Sequence, residues 1–223
     1  MSASTSRGLF RAMGHITKPV AVKTEDGYEK TNNPDREADD FYPTPPEATR
    51  ALLAAEWGAL ADYPVIWEPA CGDGAMAREI AATGHSVIAT DMVDRGYSLD
   101  AQRSFYDFTT PLAGAIITNP PYCEINARDG HGRWLRHTMD LGVGYCAMLL
   151  NWDWPAARKN GLDELMARHP ISRVYLCRWK IDFTGGGAPP QRNAWFVWDK
   201  TWQGETVLRF LDRDGDARQG VMI

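Results

Sequence analysis

From Phe41 onward, short apolar runs alternate with segments whose apolar residues recur at helical spacing. The runs lack regular polar positions, which predicts strands buried on both faces, as in a parallel sheet covered by helices. The predicted strands comprise residues 65–67, 86–90, 115–118, 144–150, 173–178, 194–198 and 206–211. The predicted helices comprise residues 75–82, 132–141 and 156–168, preceded by one that has Thr44 as its N-cap and runs through Trp57. This alternation predicts an α/β domain built on a mostly parallel sheet.

The first 40 residues follow neither period. They end in a polar, acidic run at 32–40, so we expect a mostly irregular N-terminal arm over residues 1–40. We expect residues 41–223 to form a single domain, because a typical domain holds roughly 100–200 residues.

The composition argues against several classes of protein. Of the 223 residues, 44% are apolar and 24% are charged, as in soluble globular chains. No apolar run approaches the roughly 20 residues of a membrane-spanning helix, and no secretory signal is visible, so we expect a cytoplasmic protein without a membrane partner. The four cysteines are far apart, and His131 and His137 lack ligands at metal spacing, so we expect neither disulfides nor a metal site.

The charge distribution is uneven although the net charge is only −5. That net charge gives no general sign of nucleic-acid binding. Residues 41–122 are acidic, whereas residues 123–192 are mildly basic. The asymmetry leaves room for an anionic partner on one face.

Residues that can carry chemistry follow three of the predicted strands. These are Glu68, Asp91 and Asn119. Ligands of such sheets bind beyond the carboxyl ends of the strands, so the three positions mark the expected site.

The turn after the first strand reads Glu68-Pro69-Ala70-Cys71-Gly72-Asp73-Gly74. Its glycines let the backbone turn tightly and approach a ligand. Glu68 and Asp73 repel a phosphate but attract a positively charged ligand. Asp91 lies about 20 residues further on, where an acid accepts hydrogen bonds from ribose hydroxyls. Together these features predict S-adenosylmethionine rather than NAD as cofactor, with Asp107, near the end of a further strand, as an acceptor for its adenine amino group.

The corner Asn119-Pro120-Pro121-Tyr122 follows an apolar strand directly. The prolines stiffen the backbone and supply no N–H groups. The Asn119 side-chain oxygen and the Pro120 carbonyl can therefore accept both hydrogens of a planar NH2 group, whose freed lone pair then attacks a methyl group on a sulfonium. Tyr122 offers an aromatic face for stacking on a heterocycle.

The glycine turn and this corner resemble class I S-adenosylmethionine-dependent methyltransferases that act on planar amino groups, in particular the small phage- or prophage-type DNA N6-adenine methyltransferases. The segment Phe41-Tyr42-Pro43-Thr44-Pro45 resembles the cofactor-contacting motif of that family, and its position upstream of the glycine turn matches the gamma motif order. The residues from Arg178 to Phe183 resemble the loop that holds the extruded base. The resemblance covers roughly residues 41–198.

The resemblance implies a Rossmann-like sheet with an antiparallel C-terminal strand and helices on both faces. It implies that the target amine and its ring are held by Asn119, Pro120, Tyr122 and Phe183. It implies a cofactor site made of Tyr42, Thr44, Pro45, Glu68, Ala70, Gly72, Gly74, Asp91, Met92, Asp107 and Asn119. Asn119 is in both groups because it lies between the donor and the acceptor.

Sequence-reading family members usually carry a large target-recognition domain, and little of the chain remains here after Trp198. We therefore expect recognition by loops, such as residues 123–133, 152–159 and 180–193, with weak specificity, a partner or a homodimer. Cations in these loops can contact phosphates. We expect Trp134, Trp152 and Trp154 to pack in the core.

The leading hypothesis is an adenine-specific DNA methyltransferase that acts on a base flipped out of duplex or single-stranded DNA. One alternative is the same chemistry on an RNA base amino group or a protein glutamine amide. A less favoured alternative is a non-catalytic protein that binds S-adenosylmethionine.

Overall fold

The computed structural model describes residues 20–23, 29–32, 41–125, 132–157, 162–187 and 191–213. The chain divides into two units, residues 1–40 and residues 41–223. In the first unit, strands β1 (Val20–Lys23) and β2 (Glu29–Asn32) pair antiparallel. The structure thus adds a short strand pair to a segment that we expected to be mostly irregular.

The second unit alternates strands and helices. Its strands are β3 (Val65–Glu68), β4 (Ser86–Asp91), β5 (Ala101–Gln102), β6 (Ala115–Thr118), β7 (Tyr145–Asn151), β8 (Arg173–Cys177), β9 (Asn193–Asp199) and β10 (Val207–Leu211). Its α-helices are α1 (Pro46–Ala55), α2 (Trp57–Leu60), α3 (Ala75–Ala82), α4 (Tyr122–Ile125), α5 (Arg133–Leu141) and α6 (Leu162–Arg168). None of the helices in the described ranges has the length and apolar character needed to cross a membrane.

The eight strands form one sheet in the order β10-β8-β9-β7-β6-β3-β4-β5. Every neighbouring pair is parallel except where β9 runs antiparallel to β7 and β8. The predicted mostly parallel sheet is confirmed. The expected antiparallel strand is β9, the last but one, whereas the final strand β10 is parallel to β8.

Both faces of the sheet are buried, which explains the uninterrupted apolar runs. Alternate residues of each central strand enter different clusters: Ile66 packs with α1 and α3, and its neighbour Trp67 packs with α5 and α6. Trp195 lies in the first cluster and is fully buried, and its indole N–H donates to the Ala48 carbonyl at 3.0 Å. The expectation that Trp195 serves strand packing is therefore confirmed.

A cluster of buried charges lies at the end of the sheet opposite to the carboxyl ends of its parallel strands. Arg173, which begins β8, donates two hydrogen bonds to the Glu56 carboxylate, at 2.7 and 2.6 Å, and one to Asp199 at 2.8 Å. The Tyr175 hydroxyl also donates to Glu56. The side chains of Arg173, Glu56 and Asp199 are 4%, 2% and 5% exposed, so this buried charge cluster ties α1 to β8 and β9 without contact with solvent.

Two local predictions are wrong. Helix α1 has Pro45 rather than Thr44 as its N-cap and ends at Ala55, because Thr44 uses its hydroxyl in a contact described below. Asp107 does not follow a strand but ends a 3-10 turn, Phe105–Asp107, and its side chain is exposed. The edge strand β5 is only two residues long, so the chain leaves the sheet before Asp107.

Candidate active site at the carboxyl ends of β3, β4 and β6

The glycine turn joins β3 to α3 and is tied to the end of β4. The Gly72 N–H donates to Asp91 Oδ2 at 2.8 Å, and the Ala75 N–H donates to Asp73 Oδ1 at 3.0 Å. Gly72 and Gly74 have φ angles of 56° and 78°, which side-chain-bearing residues rarely adopt. Asp91 thus holds the turn against the sheet, a role that the sequence did not reveal.

Two aromatic rings pack directly on these glycines. A Cβ atom at Gly72 would lie 2.5 Å from a carbon of the Phe41 ring, and one at Gly74 would overlap the Tyr97 ring. Phe41 comes from the upstream segment that we predicted to approach the cofactor. Sequence reasoning missed Tyr97, because it stands in an irregular loop after β4 and no motif marks it.

Glu68 ends β3 as a buried carboxylate without a counter-charge. The residue is 2% exposed, and its Oε2 atom has no hydrogen-bond partner among the described residues. Burial, followed by the negative charges of Asp91 and Asp73, raises its pKa well above the ordinary value. A positively charged group beside Glu68 would stabilise the ionised carboxylate and supply the missing partner.

Asn119 has one half of its side-chain amide held and the other half unpartnered. Its Nδ2 group donates to Thr44 Oγ1 at 3.1 Å, which orients the amide. Its Oδ1 atom is buried and has no hydrogen-bond partner among the described residues. A buried amide oxygen without a donor is costly, so this atom is suited to accept a hydrogen bond from a bound ligand.

Tyr122 begins α4 and is held from the far side of the corner. Asn193 Nδ2 donates to the Tyr122 hydroxyl at 3.0 Å, and the Tyr122 ring packs against the α5 and α6 face of the sheet. Pro120, between Asn119 and Tyr122, is buried. The corner is therefore fixed by β6 on one side and by the start of β9 on the other.

Other predicted site residues have less constrained surroundings. The Met92 side chain is 60% exposed, and Phe183 is partly buried against the α1 and α3 face, opposite to the face that Tyr122 contacts. The half-buried members of the predicted cofactor site are Tyr42, Pro45 and Ala70. The structure thus joins Phe41 to Gly72, Thr44 to Asn119 and Asp91 to Gly72, and places Asp107 and Met92 on the surface.

The predicted phosphate contacts are described only in part. Arg133 stacks on the Tyr106 ring at 3.6 Å from its centroid. The positions of Arg128, Arg158 and Lys159 lie outside the described residues. Trp134 and Trp154 are buried, as expected, but Trp152 is 52% exposed, so its predicted core role is wrong.

Neither a protein-family model nor a curated protein matches the sequence. Solved structures do match. A proposed RNA methyltransferase from Pyrococcus horikoshii superimposes with a TM-score of 0.55 at 14% identity, over 71% of this chain and 86% of that chain. A proposed class I S-adenosylmethionine-dependent methyltransferase from Listeria monocytogenes gives a TM-score of 0.54 at 12% identity, over 80% of this chain and 67% of that chain.

A chain of a type I restriction–modification system gives a TM-score of 0.51 at 14% identity, over 80% of this chain and 46% of that chain. The shared feature is the strand order around β3, with β9 as the antiparallel strand. This chain has the class I methyltransferase fold. In that fold the glycine turn, Asp91 and Asn119 all lie at the carboxyl edge of the sheet, where ligands of open α/β sheets bind.

Proposed function

We propose that this protein is an S-adenosylmethionine-dependent methyltransferase that methylates the N6 amino group of a flipped-out adenine in DNA. The observation that carries the proposal is the Asn119 amide, whose oxygen is buried and unpartnered while Thr44 holds its nitrogen. Adjacent parallel strands β3 and β6 place this oxygen at the same edge of the sheet as the unpartnered Glu68 oxygen. One edge thus offers an acceptor for an amine and an acceptor for a cation.

The residues of the glycine turn fit the cofactor. Glu68 is suited to the positively charged methionyl portion, since a buried carboxylate without a counter-charge attracts a cation. Asp91, already bonded to Gly72, retains carboxylate lone pairs for ribose hydroxyls. When bound, S-adenosylmethionine supplies the methyl carbon, whose bond to sulfur breaks as an acceptor nitrogen attacks.

The acceptor corner prepares that nitrogen. Asn119 Oδ1 and the Pro120 carbonyl accept the two hydrogens of the amine and favour a pyramidal nitrogen with a free lone pair. Thr44 keeps Oδ1 pointed toward the amine, because its hydroxyl accepts from the other end of the amide. No general base is required from the chain, since the methylated nitrogen is acidic and releases its proton to water.

Adenine in DNA is favoured by the order of motifs, with Phe41–Pro45 upstream of the glycine turn and the Asn119–Tyr122 corner downstream. The contact of Phe41 with Gly72 and that of Thr44 with Asn119 support this order, since both bring the upstream segment to the edge of the sheet. The solved relatives alone do not choose the substrate, because one is described as an RNA methyltransferase and another belongs to a restriction–modification system.

Transfer of a tritiated methyl group tests the proposal. The acceptors are duplex DNA, single-stranded DNA, RNA and a glutamine-containing peptide, and the products are identified by nucleoside or amino-acid analysis. We expect N6-methyladenine from DNA and no label on the peptide. Label confined to RNA or peptide would replace the substrate assignment, and cofactor binding without transfer to any acceptor would identify a non-catalytic binding protein.

Cofactor affinity is expected to rise with pH. In the free protein the pKa of Glu68 is raised by burial and by Asp91 and Asp73, whereas a bound cation lowers it. The complex then holds fewer protons than the free protein between these two pKa values, so affinity increases through that window and levels off above the raised pKa. Glu68→Gln removes this dependence and weakens binding roughly 10- to 150-fold.

Calorimetry in buffers of different ionisation enthalpy measures the affinity and the proton release together. Asp94→Asn is the matched control, because Asp94 is an exposed acid of the neighbouring loop. An affinity that stays flat with pH in the parent protein, with no proton released, would remove Glu68 from the cofactor site.

A further inference from the structure

A second cleft adjoins the acceptor corner. It has a volume of about 500 Å³ and is lined by Trp152, Asp153, Lys180, Gln191 and Arg192. We refer to it as the Trp152 cleft. No motif of the sequence pointed to this combination, because its residues come from three separate loops.

The Trp152 cleft is attached to the corner through the backbone. The Trp152 N–H donates to the Arg192 carbonyl at 3.1 Å and so extends the pairing of β7 with β9 by one step. The next residue, Asn193, donates to the Tyr122 hydroxyl at 3.0 Å. The cleft wall therefore follows the residue that holds Tyr122, and consecutive residues of a strand are only about 3.3 Å apart.

The wall of the cleft exposes a large planar ring. Trp152 is 52% exposed, although Trp154, two residues later, is only 3% exposed and packs on Phe196. An exposed indole gains little from solvent but offers a broad face for stacking on a planar heterocycle. Stacking of a nucleic-acid base on such a ring tolerates any base, because each base has a π-face.

Two cations line the same cleft. Lys180 and Arg192 are exposed, and within the described residues neither takes part in an ion pair. They are thus available for a phosphate, whereas Asp153 repels phosphate and accepts hydrogen bonds from the amino group of a base. An aromatic face beside two cations and one carboxylate matches the chemistry of a nucleotide rather than that of an acidic peptide or a lipid.

We infer that the Trp152 cleft binds a nucleotide that flanks the methylated base, with Trp152 stacked on its base and Lys180 and Arg192 at its phosphate. The inference rests on the proposed function and names the contact that holds the strand beside the corner. It also accounts for recognition without a separate domain, since β7 and β9 deliver the cleft directly from the catalytic sheet.

The affinity of the full chain for a fluorescently labelled single-stranded oligonucleotide tests the inference. Trp152→Ala is expected to weaken binding roughly 5- to 150-fold, the usual loss for one base stacked on an aromatic ring. Trp152→Phe retains an aromatic face and is expected to recover most of that loss. Trp57→Ala is the matched control, because Trp57 is 60% exposed on α2 and is not part of the cleft.

The salt dependence separates phosphate contacts from stacking. Lys180→Ala and Arg192→Ala are each expected to reduce the slope of log affinity against log salt by about 0.7, the value for one phosphate of a single strand, and Trp152→Ala is expected to leave it unchanged. Calorimetry with S-adenosylmethionine is expected to give the parent affinity for all four cleft variants, which a general structural defect would not.

The outcomes distinguish the two proposals. Parent-like oligonucleotide binding in Trp152→Ala, Lys180→Ala and Arg192→Ala would overturn the cleft assignment and leave the methyltransferase proposal standing. Absence of oligonucleotide binding by the parent protein, with methyl transfer found only to peptide, would overturn both.

Discussion

Asn119→Ala is expected to reduce kcat for methyl transfer by about 100-fold or more while cofactor affinity stays nearly unchanged. The substitution removes the buried oxygen that accepts a hydrogen of the amine, and loss of one such preorganised group typically costs 100- to 1,000-fold. Cofactor affinity is preserved because Glu68, Asp91 and the glycine turn are intact. Single-turnover transfer to DNA and calorimetry with S-adenosylmethionine measure the two quantities separately.

Thr44→Val provides the graded comparison for this experiment. It removes the hydroxyl that receives Asn119 Nδ2 but leaves Oδ1 in place, so the amide is less well oriented. We expect a smaller loss of kcat than for Asn119→Ala. Full turnover in Asn119→Ala would contradict the assignment of the acceptor corner, and equal losses in both variants would show that orientation matters as much as the oxygen itself.

Arg173→Met is expected to lower the free energy of unfolding by about 3–5 kcal/mol, the typical cost of breaking a buried ion pair from one side. The variant leaves the Glu56 and Asp199 carboxylates buried without their shared partner, and both side chains are almost inaccessible to solvent. The loss is expected in stability, since the buried charge cluster lies at the sheet end opposite to Asn119. Urea unfolding at neutral pH measures it.

Two further variants make that test specific. Arg50→Met breaks an exposed ion pair with Glu79, in which Arg50 is 63% exposed, and is expected to cost less than about 1 kcal/mol. Glu56→Gln added to Arg173→Met removes one of the stranded charges and is expected to restore part of the lost stability, as a double-mutant cycle would show. A loss of under about 1 kcal/mol in Arg173→Met would mean that the cluster contributes little.

The contrast between Trp152 and Trp154 shows the limit of sequence patterns. Both lie in the same short segment after β7, and both were expected to pack in the core. The 3-10 turn Trp154–Ala157 carries Trp154 back onto Phe196, while Trp152 stays on the cleft wall. The difference depends on the path of the chain after the sheet edge, which local residue order does not encode.

The sequence by itself determined the strands, the helices that alternate with them, the glycine turn and the corner at Asn119, because each depends on neighbouring residues and on burial of both sheet faces. Only the tertiary structure decided which residues meet across the chain. Thr44 orients Asn119 from 75 positions away, and Glu56 reaches Arg173 across 117 positions. Such contacts follow from strand order and packing, so no local pattern announces them.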